Sequence, residues 1–538
     1  MRKVISRLCL IILVLFITSG CSSKSEKVSK EELNIIDDNY RTYYEIFLYS
    51  FCDSNGDGIG DMQGLISKLD YLNDNDPDTD TDLGVNGIWL MPMMPSTTYH
   101  KYDVIDYYDI DKEYGTLDDF KLLLKECDER GIKVIIDLVF NHTSAQNEWF
   151  KSATEYITSL PEGKEPSVEE NPYFGYYNFK KDAGNRSTYQ QIGNTDWYYE
   201  CMFWDQMPDL NLTNPVVRKE IEKVADYWLD MGVGGFRLDA AKEFFSGDNA
   251  KNIEVLNWFT DYVKNEDPDN YLVAEVWDTI GTYSSYYGSG IDSVFNFAFA
   301  AGGGKIATTV NDAGSGKAGA SFAKAMEKAQ SIFMSENEKA IDASFLTNHD
   351  VDRAAGYVSY DENLTKLEAG LNLMMSGSSF IYYGEELGMT GSGKDENKRA
   401  PMYWTEKESE DMTSGPVAME PQINHFGTVE DQMKESSSVL NYYIDAVRLR
   451  NENPEIARGA VKVIPEVKDG DIGAITKTYN DSSIVILYNL SGDEKQVTIN
   501  KDTYGYERIK GCLSVSEKTA TLDKDTVTLP PYAIVILK

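Results

Sequence analysis

From about residue 43 onward, short apolar runs alternate with longer stretches whose apolar residues recur every three to four positions. The runs fall at 44–51, 85–91, 133–140, 234–240, 271–277, 293–299, 343–348 and 379–384. Runs of that length predict strands, and most of the intervals carry amphipathic helical spacing. Asp118 and Asp119 give one interval an acidic start, Phe120 and 122–124 an apolar body, and Gly131 a stop. Asn214-Pro215 opens another, with Val217, Ile221, Val224, Ala225, Trp228 and Leu229 on one face. Eight strands alternating with helices predict an α/β fold, the (β/α)8 TIM barrel.

The rhythm breaks twice. Residues 142–206 follow the third strand, are rich in Tyr, Asn and Gly, and are too many for a plain loop. They predict a small inserted domain over the C-terminal mouth of a barrel built from 40–141 and 207–455. After an amphipathic helix at 437–453, the segments 473–479, 483–490, 494–499 and 526–537 are β-rich and separated by turn residues. They predict a C-terminal antiparallel β-sandwich over 456–538.

The length of 538 residues agrees with several domains, and 42% hydrophobic with 12% aromatic residues argues against wholesale disorder. With 51 basic and 88 acidic residues the net charge is −37, which argues against nucleic acid or anionic head groups as partners. The 35 tyrosines and 8 tryptophans supply flat faces with polar tips that suit sugar rings. At the N-terminus Arg2, Lys3 and Arg7 precede an apolar run at 8–17, then Thr18-Ser19-Gly20-Cys21. The order charged, apolar, small is that of an export signal, too short to span a bilayer. Small residues directly before Cys21 resemble a bacterial lipoprotein signal, so residues 1–21 are expected to yield a lipidated Cys21 and 22–39 a polar tether. The expected place is the extracellular face of the cell membrane, and the expected state a monomer. Cys52, Cys127, Cys201 and Cys512 have no metal-type spacing and predict free thiols.

The chemistry concentrates at strand ends. In GGFRLDAAKE, residues 234–243, strand alternation delivers Arg237 and Asp239 to one side. Two readings are open on this stretch alone: a structural ion pair at a strand edge, or a polar pocket. Asp137 ends the third strand with Asn141 and His142 beyond it, Glu275 ends the fifth, and His349-Asp350 ends the seventh. Carboxylates converging without a His or Cys cluster suit glycosidic bond cleavage by nucleophile, proton donor and charge stabiliser. Of four histidines, His142 and His349 lie in these motifs and His100 lies in His100-Lys101-Tyr102-Asp103, where imidazoles can donate to sugar hydroxyls.

DLVFNH, GFRLDAAK, VAEVWD and FLTNHD, in this order, resemble the four sequence regions of the α-amylase family of glycoside hydrolases. GIWLMP, MPDLN, IYYGEELG and KRAPMYW extend the likeness over about residues 40–538. The resemblance implies Asp239 as nucleophile, Glu275 as general acid/base and Asp350 as transition-state stabiliser. It implies Arg237 orienting Asp239, and His100, Tyr102, Asp103, His142, Lys242, His349 and Arg353 at the substrate. The implied substrates are starch and maltooligosaccharides, cleaved with retention by carboxyls ~5 Å apart. Lys242-Glu243 stands where many members have Lys-His, and Ala240 stands where relatives preferring α-1,6 bonds resemble Val, which favours α-1,4 cleavage. MPDLN is similar to a group between oligo-1,6-glucosidases and neopullulanases, so maltogenic, α-1,6-active or transglycosylating relatives are the enzymatic alternatives. An inactive glucan-binding lipoprotein is the alternative of another class.

Asp53-Ser-Asn55-Gly-Asp57-Gly-Ile59-Gly-Asp61 spaces oxygen donors at alternate positions around glycines. Gly64 at the twelfth position excludes an EF-hand. A similar loop after the first strand occurs in the family, which implies Ca2+ held by Asp53, Asn55, Asp57, the Ile59 carbonyl and Asp61. A plain Asx/Gly turn is the alternative.

Overall fold

Eight parallel strands close into a barrel: β1 (Thr42–Ile46), β2 (Gly87–Leu90), β3 (Lys133–Leu138), β4 (Gly235–Leu238), β5 (Tyr271–Ala274), β6 (Ser293–Phe295), β7 (Ile341–Phe345) and β8 (Ser378–Tyr382). The computed structural model describes residues 38–76, 81–183, 187–406 and 411–538; the expected export signal, Cys21 and residues 22–37 of the expected tether lie outside them. Each expected strand is present. The first is shorter than the run 44–51, because the chain leaves the sheet after Ile46 and Leu48–Ser50 forms a 3₁₀ turn.

Two-residue alternation along these strands fills the barrel and also builds its mouth. Tyr43, Trp89, Ile135, Tyr271, Val273, Phe295, Phe345 and Phe380 form one apolar cluster, with Tyr43 stacked at 5.2 Å on Tyr271 and 5.0 Å on Phe380. Two residues further along their strands, the same parity presents Glu45, Asp137 and Glu275. The residues between, such as Tyr44, Ile136 and Ala274, pack outward into the main core beneath the helices.

The helices start where local chemistry directs. Thr116 and Asp119 cap Leu117–Glu129 reciprocally, and Asn214 caps Pro215–Asp230, where proline in the first turn sacrifices no hydrogen bond. Between β3 and that second helix lie the helix Glu148–Ser159 and a small antiparallel sheet of Phe179–Lys180, Tyr198–Glu200 and Tyr189–Gln191. Among the described residues no helix is long and apolar enough to cross a membrane.

The C-terminal segment forms antiparallel sheets packed on one apolar core. Five strands (Ala460–Val463, Ile472–Tyr479, Ser482–Asn489, Ile534–Leu537, Ile509–Leu513) make the larger, and Lys495–Thr498, Thr526–Leu529 and Thr521–Asp523 the smaller. The run 526–537, expected as one strand, is two strands in different sheets. Pro530-Pro531 carry no amide hydrogen for a ladder and turn the chain between them.

Candidate active site

Arg237 organises the barrel mouth. It is fully buried, and its Nη1 donates to Asp137 Oδ1 at 2.8 Å and Asp239 Oδ1 at 2.6 Å while Nη2 donates to Glu275 Oε2 at 2.7 Å. Its guanidinium also lies over Trp89 at 5.1 Å and Tyr102 at 5.8 Å. A buried cation without partners is costly; here one is matched by carboxylates from β3, the end of β4 and the end of β5. Both sequence readings of residues 234–243 therefore meet: the ion pair exists, and it forms the floor of a pocket.

That pocket is a cavity of about 520 Å³, lined among others by Asp239, Glu275, Asp350, His100, Tyr102, His142, Lys242 and His349. Burial pushes Glu275 up to about 7; Arg237 opposes the rise, and Asp239 and Asp350 add to it. Glu275 Oε2 also accepts the Ala240 amide at 3.1 Å. Asp350 moves the other way. Burial alone would raise it, but His349, 3.0 Å from Oδ2, and Arg399, 3.2 Å from Oδ1, hold it well below the usual carboxylate range. Two carboxyls at one mouth thus have opposite environments, as acid and anion roles require.

Tyr102 bridges the floor, its hydroxyl 3.0 Å from Asp137 Oδ2 and 2.8 Å from His349 Nε2, with its ring stacked on His349. His142 is buried, its Nε2 unpartnered and its ring 5.4 Å from Phe203. His100 is lowered to about 4 by burial and by Arg399. Between His100 and Tyr102, Lys101 takes a left-handed φ of 63° and drives its ammonium onto Asp111 at 2.9 Å and Glu113 at 2.5 Å. Lys242 pairs with Asp278 at 2.8 Å.

Two expected substrate contacts are elsewhere. Asp103 accepts hydroxyls from Ser96, Thr97, Thr98 and Ser144, so its oxygens are consumed beneath the loop. Arg353 donates to the carbonyls of Lys398 at 2.9 Å and Tyr383 at 2.7 Å, its guanidinium over Tyr382 and Tyr383. Both fasten loops around the mouth and neither lines the cavity. Conversely Arg399, Trp277, Phe203 and Trp204 line it, the last three roughly half exposed on the rim. VAEVWD and KRAPMYW contained two of them, but the sequence offered no reason to aim them inward. Glu45, whose Oε1 is 2.6 Å from His349 Nδ1, was also missed, although strand parity with Tyr43 signalled an inward position.

In the loop after β1, Asp53 accepts the amides of Asn55, Gly56 and Gly58 at 2.9, 2.7 and 2.6 Å. Asp61 caps the helix Met62–Ser67 through Gly64 N and accepts Ser54 and Asn55 through Oδ2. Asn55 accepts the Asp57 amide, and Asp57 that of Ile59. These Asx hydrogen bonds wind the loop, and among the described residues no three His, Cys, Asp or Glu side chains are grouped to hold a metal ion. Its donors are nonetheless all oxygens, the chemistry a hard cation takes.

Comparison with known proteins agrees with this geometry. The family described as "Alpha amylase, catalytic domain" matches residues 45–459, and "Alpha-amylase SusG C-terminal domain" matches 472–536. The chain is 35% identical to "Alpha-amylase 3" of Dictyoglomus thermophilum over 92% of each chain. It is 28% identical to "Oligo-1,6-glucosidase" of Parageobacillus thermoglucosidasius, over 83% of this chain and 89% of that protein. The solved structure "Eubacterium rectale Amy13B" superposes with a TM-score of 0.89 at 42% identity, covering 94% of this chain and 96% of that one. The matched catalytic domain and its 35% identical full-length relative establish that the chain belongs to the α-amylase family and is one of its glycoside hydrolases.

Proposed function

We propose that the protein hydrolyses α-1,4-glucosidic bonds of starch and maltooligosaccharides by double displacement. The observation that carries this reading is the single guanidinium of Arg237 bound to both Asp239 and Glu275. In the first step the Asp239 carboxylate attacks the anomeric carbon, the glycosidic C–O bond breaks, and Glu275 transfers its proton to the departing oxygen. In the second step Glu275 takes a proton from water, whose oxygen attacks the same carbon and releases Asp239, giving net retention. Asp350 remains anionic and stabilises the positive charge on the ring. Tyr102 and His142 face the sugar, His349 backs Asp350 from the cavity wall, and His100 and Lys242 line the same cavity. The test is Asp239→Ala and Glu275→Gln: both abolish starch hydrolysis, and the first anomer seen by NMR in the parent is α. Parent-rate hydrolysis by either variant, or a β-anomer, overturns the reading.

The relative named oligo-1,6-glucosidase supports a second reading, mixed α-1,4 and α-1,6 action, with Ala240 and Glu243 on the cavity wall as the positions that bias it. Product profiles on amylose, pullulan and isomaltose separate the two. The donor set Asp53, Asn55, Asp57, Ile59 carbonyl and Asp61 fits calcium, which would brace the loop after β1 and take no part in bond cleavage. Export, lipidation of Cys21 and display on the outer membrane face are part of the same proposal, supported by the order of residues 1–21. Turnover by the parent excludes the inactive glucan-binding alternative.

A further inference from the structure

The imidazole of His349 meets oxygens at both nitrogens. Nδ1 lies 2.6 Å from Glu45 Oε1 on β1, and Nε2 lies 2.8 Å from the Tyr102 hydroxyl and 3.0 Å from Asp350 Oδ2. Both His349 and Glu45 are 1% exposed, so water does not substitute for these contacts.

Counting protons decides which atoms donate. Tyr102 has one hydroxyl hydrogen, and it goes to Asp137 Oδ2 at 3.0 Å, leaving a lone pair toward Nε2. Asp350, held ionised by His349 and Arg399, only accepts. A bare Nε2 would oppose two lone pairs at hydrogen-bond distance. Nε2 therefore carries hydrogen, and Nδ1 shares a second proton with Glu45. The imidazole is also packed between rings, T-shaped to Trp89 at 5.8 Å and stacked on Tyr102 at 5.4 Å.

We propose that Glu45 is a positioning residue for the hydrolytic reaction: by holding Nδ1 of His349 it fixes Nε2–H on Asp350 and so keeps that carboxylate anionic and aimed at the reacting sugar. The proposal rests on the assignment of Asp350 as the charge stabiliser. His349 is correspondingly raised to about 9, burial opposing and the Asp350 and Glu45 carboxylates outweighing it. The other charged groups around the pair are Asp137, Arg237 and Arg399, with His100 beside them. Glu45 is the one whose oxygen faces Nδ1. The arrangement parallels carboxylate–imidazole pairs in which the carboxylate sets tautomer and orientation without entering the reaction.

The test uses the full chain with 13C-labelled histidine; only four histidines are present, and a His349→Asn spectrum assigns the signal. In the parent, His349 holds its imidazolium signal well above neutral pH. In Glu45→Gln, which keeps size and a hydrogen-bonding end but removes the charge, that signal titrates at least one pH unit lower. The expected kinetic companion is a fall in kcat of about tenfold with KM for maltotriose changed less than threefold, since the lost interaction belongs to the charged transition state. Glu45→Asp, which restores the charge, recovers part of kcat and the higher titration. An unchanged His349 titration in Glu45→Gln overturns the proposal, as does an unchanged kcat in a parent that hydrolyses glucans. Should the parent hydrolyse no α-glucan, the functional reading fails and the titration still decides the clamp. A Glu45→Asp variant as inactive as Glu45→Gln, with equal loss of melting temperature, assigns Glu45 to packing alone and also overturns the proposal.

Discussion

Ala240 donates its amide to Glu275 Oε2 across 3.1 Å from a left-handed backbone conformation, φ 49°. The residue after Asp239 turns sharply so that one carboxylate is presented while the next amide reaches its neighbour. An L-residue pays about 1–2 kcal/mol for that conformation, and the chain pays it where the chemistry is concentrated.

Replacing Ala240 by glycine removes the side-chain clash while keeping the amide. Ala240→Gly is expected to leave kcat within about twofold and to keep or raise stability by about 0–1 kcal/mol, strain relief being offset by unfolded-chain entropy. Thermal denaturation and initial rates check this; a clear drop in melting temperature would count against strain at this position.

The pH dependence of hydrolysis follows from Glu275. In the proposed mechanism its carboxyl, raised to about 7 chiefly by burial, carries the proton that assists departure of the sugar. As pH rises through that value the proton is lost and the rate declines, approaching tenfold per pH unit on the alkaline side. With an aryl maltoside whose leaving group needs no proton, Glu275→Gln is expected to release a burst of phenol with no such limb near pH 7. Rates between pH 5 and 9 decide the matter.

Stability has its own pH dependence, to which Glu385, away from the site, contributes. Burial pushes it up to about 8, against the hydroxyls of Thr347 at 2.6 Å and Tyr443 at 3.0 Å. A carboxyl whose folded pKa exceeds its unfolded value near 4.3 favours the folded state below about pH 4, and that contribution is lost as pH rises through 8. Glu385→Gln is expected to flatten the decline in unfolding free energy between pH 5 and 9, by on the order of 1–3 kcal/mol at the upper end, read by denaturant unfolding across that range. An identical slope in parent and variant would show that the group stays ionised throughout.

The proposed calcium site would have a structural consequence. The Asp53–Asp61 loop is joined to the segment after residue 410 by Asp53 N to Asp411 O and Ser414 N to Gly58 O. A chelator is expected to lower the melting temperature and added calcium to restore it, by about 2.7 kcal/mol at a hundred times the dissociation constant. Magnesium should restore little, because a set of five protein oxygens suits the larger ion, whereas magnesium keeps several of its waters. In Asp53→Ala the calcium response should vanish.

Much of the barrel was legible because its strands are short apolar runs and its helices carry their own caps. Asp137, Arg237, Asp239, Glu275, His349 and Asp350 could be placed at one face because strand ends in this fold share a face. Asp103 and Arg353 show the limit: both are polar residues in the right motifs, yet hydroxyls in one case and backbone carbonyls in the other consume their hydrogen bonds.

What the sequence by itself determined is the order of elements, the inward parity of the strands and the residue types available at the mouth, all local or periodic properties. What only the tertiary structure decided is which of those residues share partners. Glu45 and His349 are 304 positions apart, and Asp137 and Arg237 are 100 apart. Their contacts follow from barrel closure and side-chain packing, and in a low-dielectric interior it is those distances that set whether a carboxyl holds a proton, bears a charge or ties down a loop.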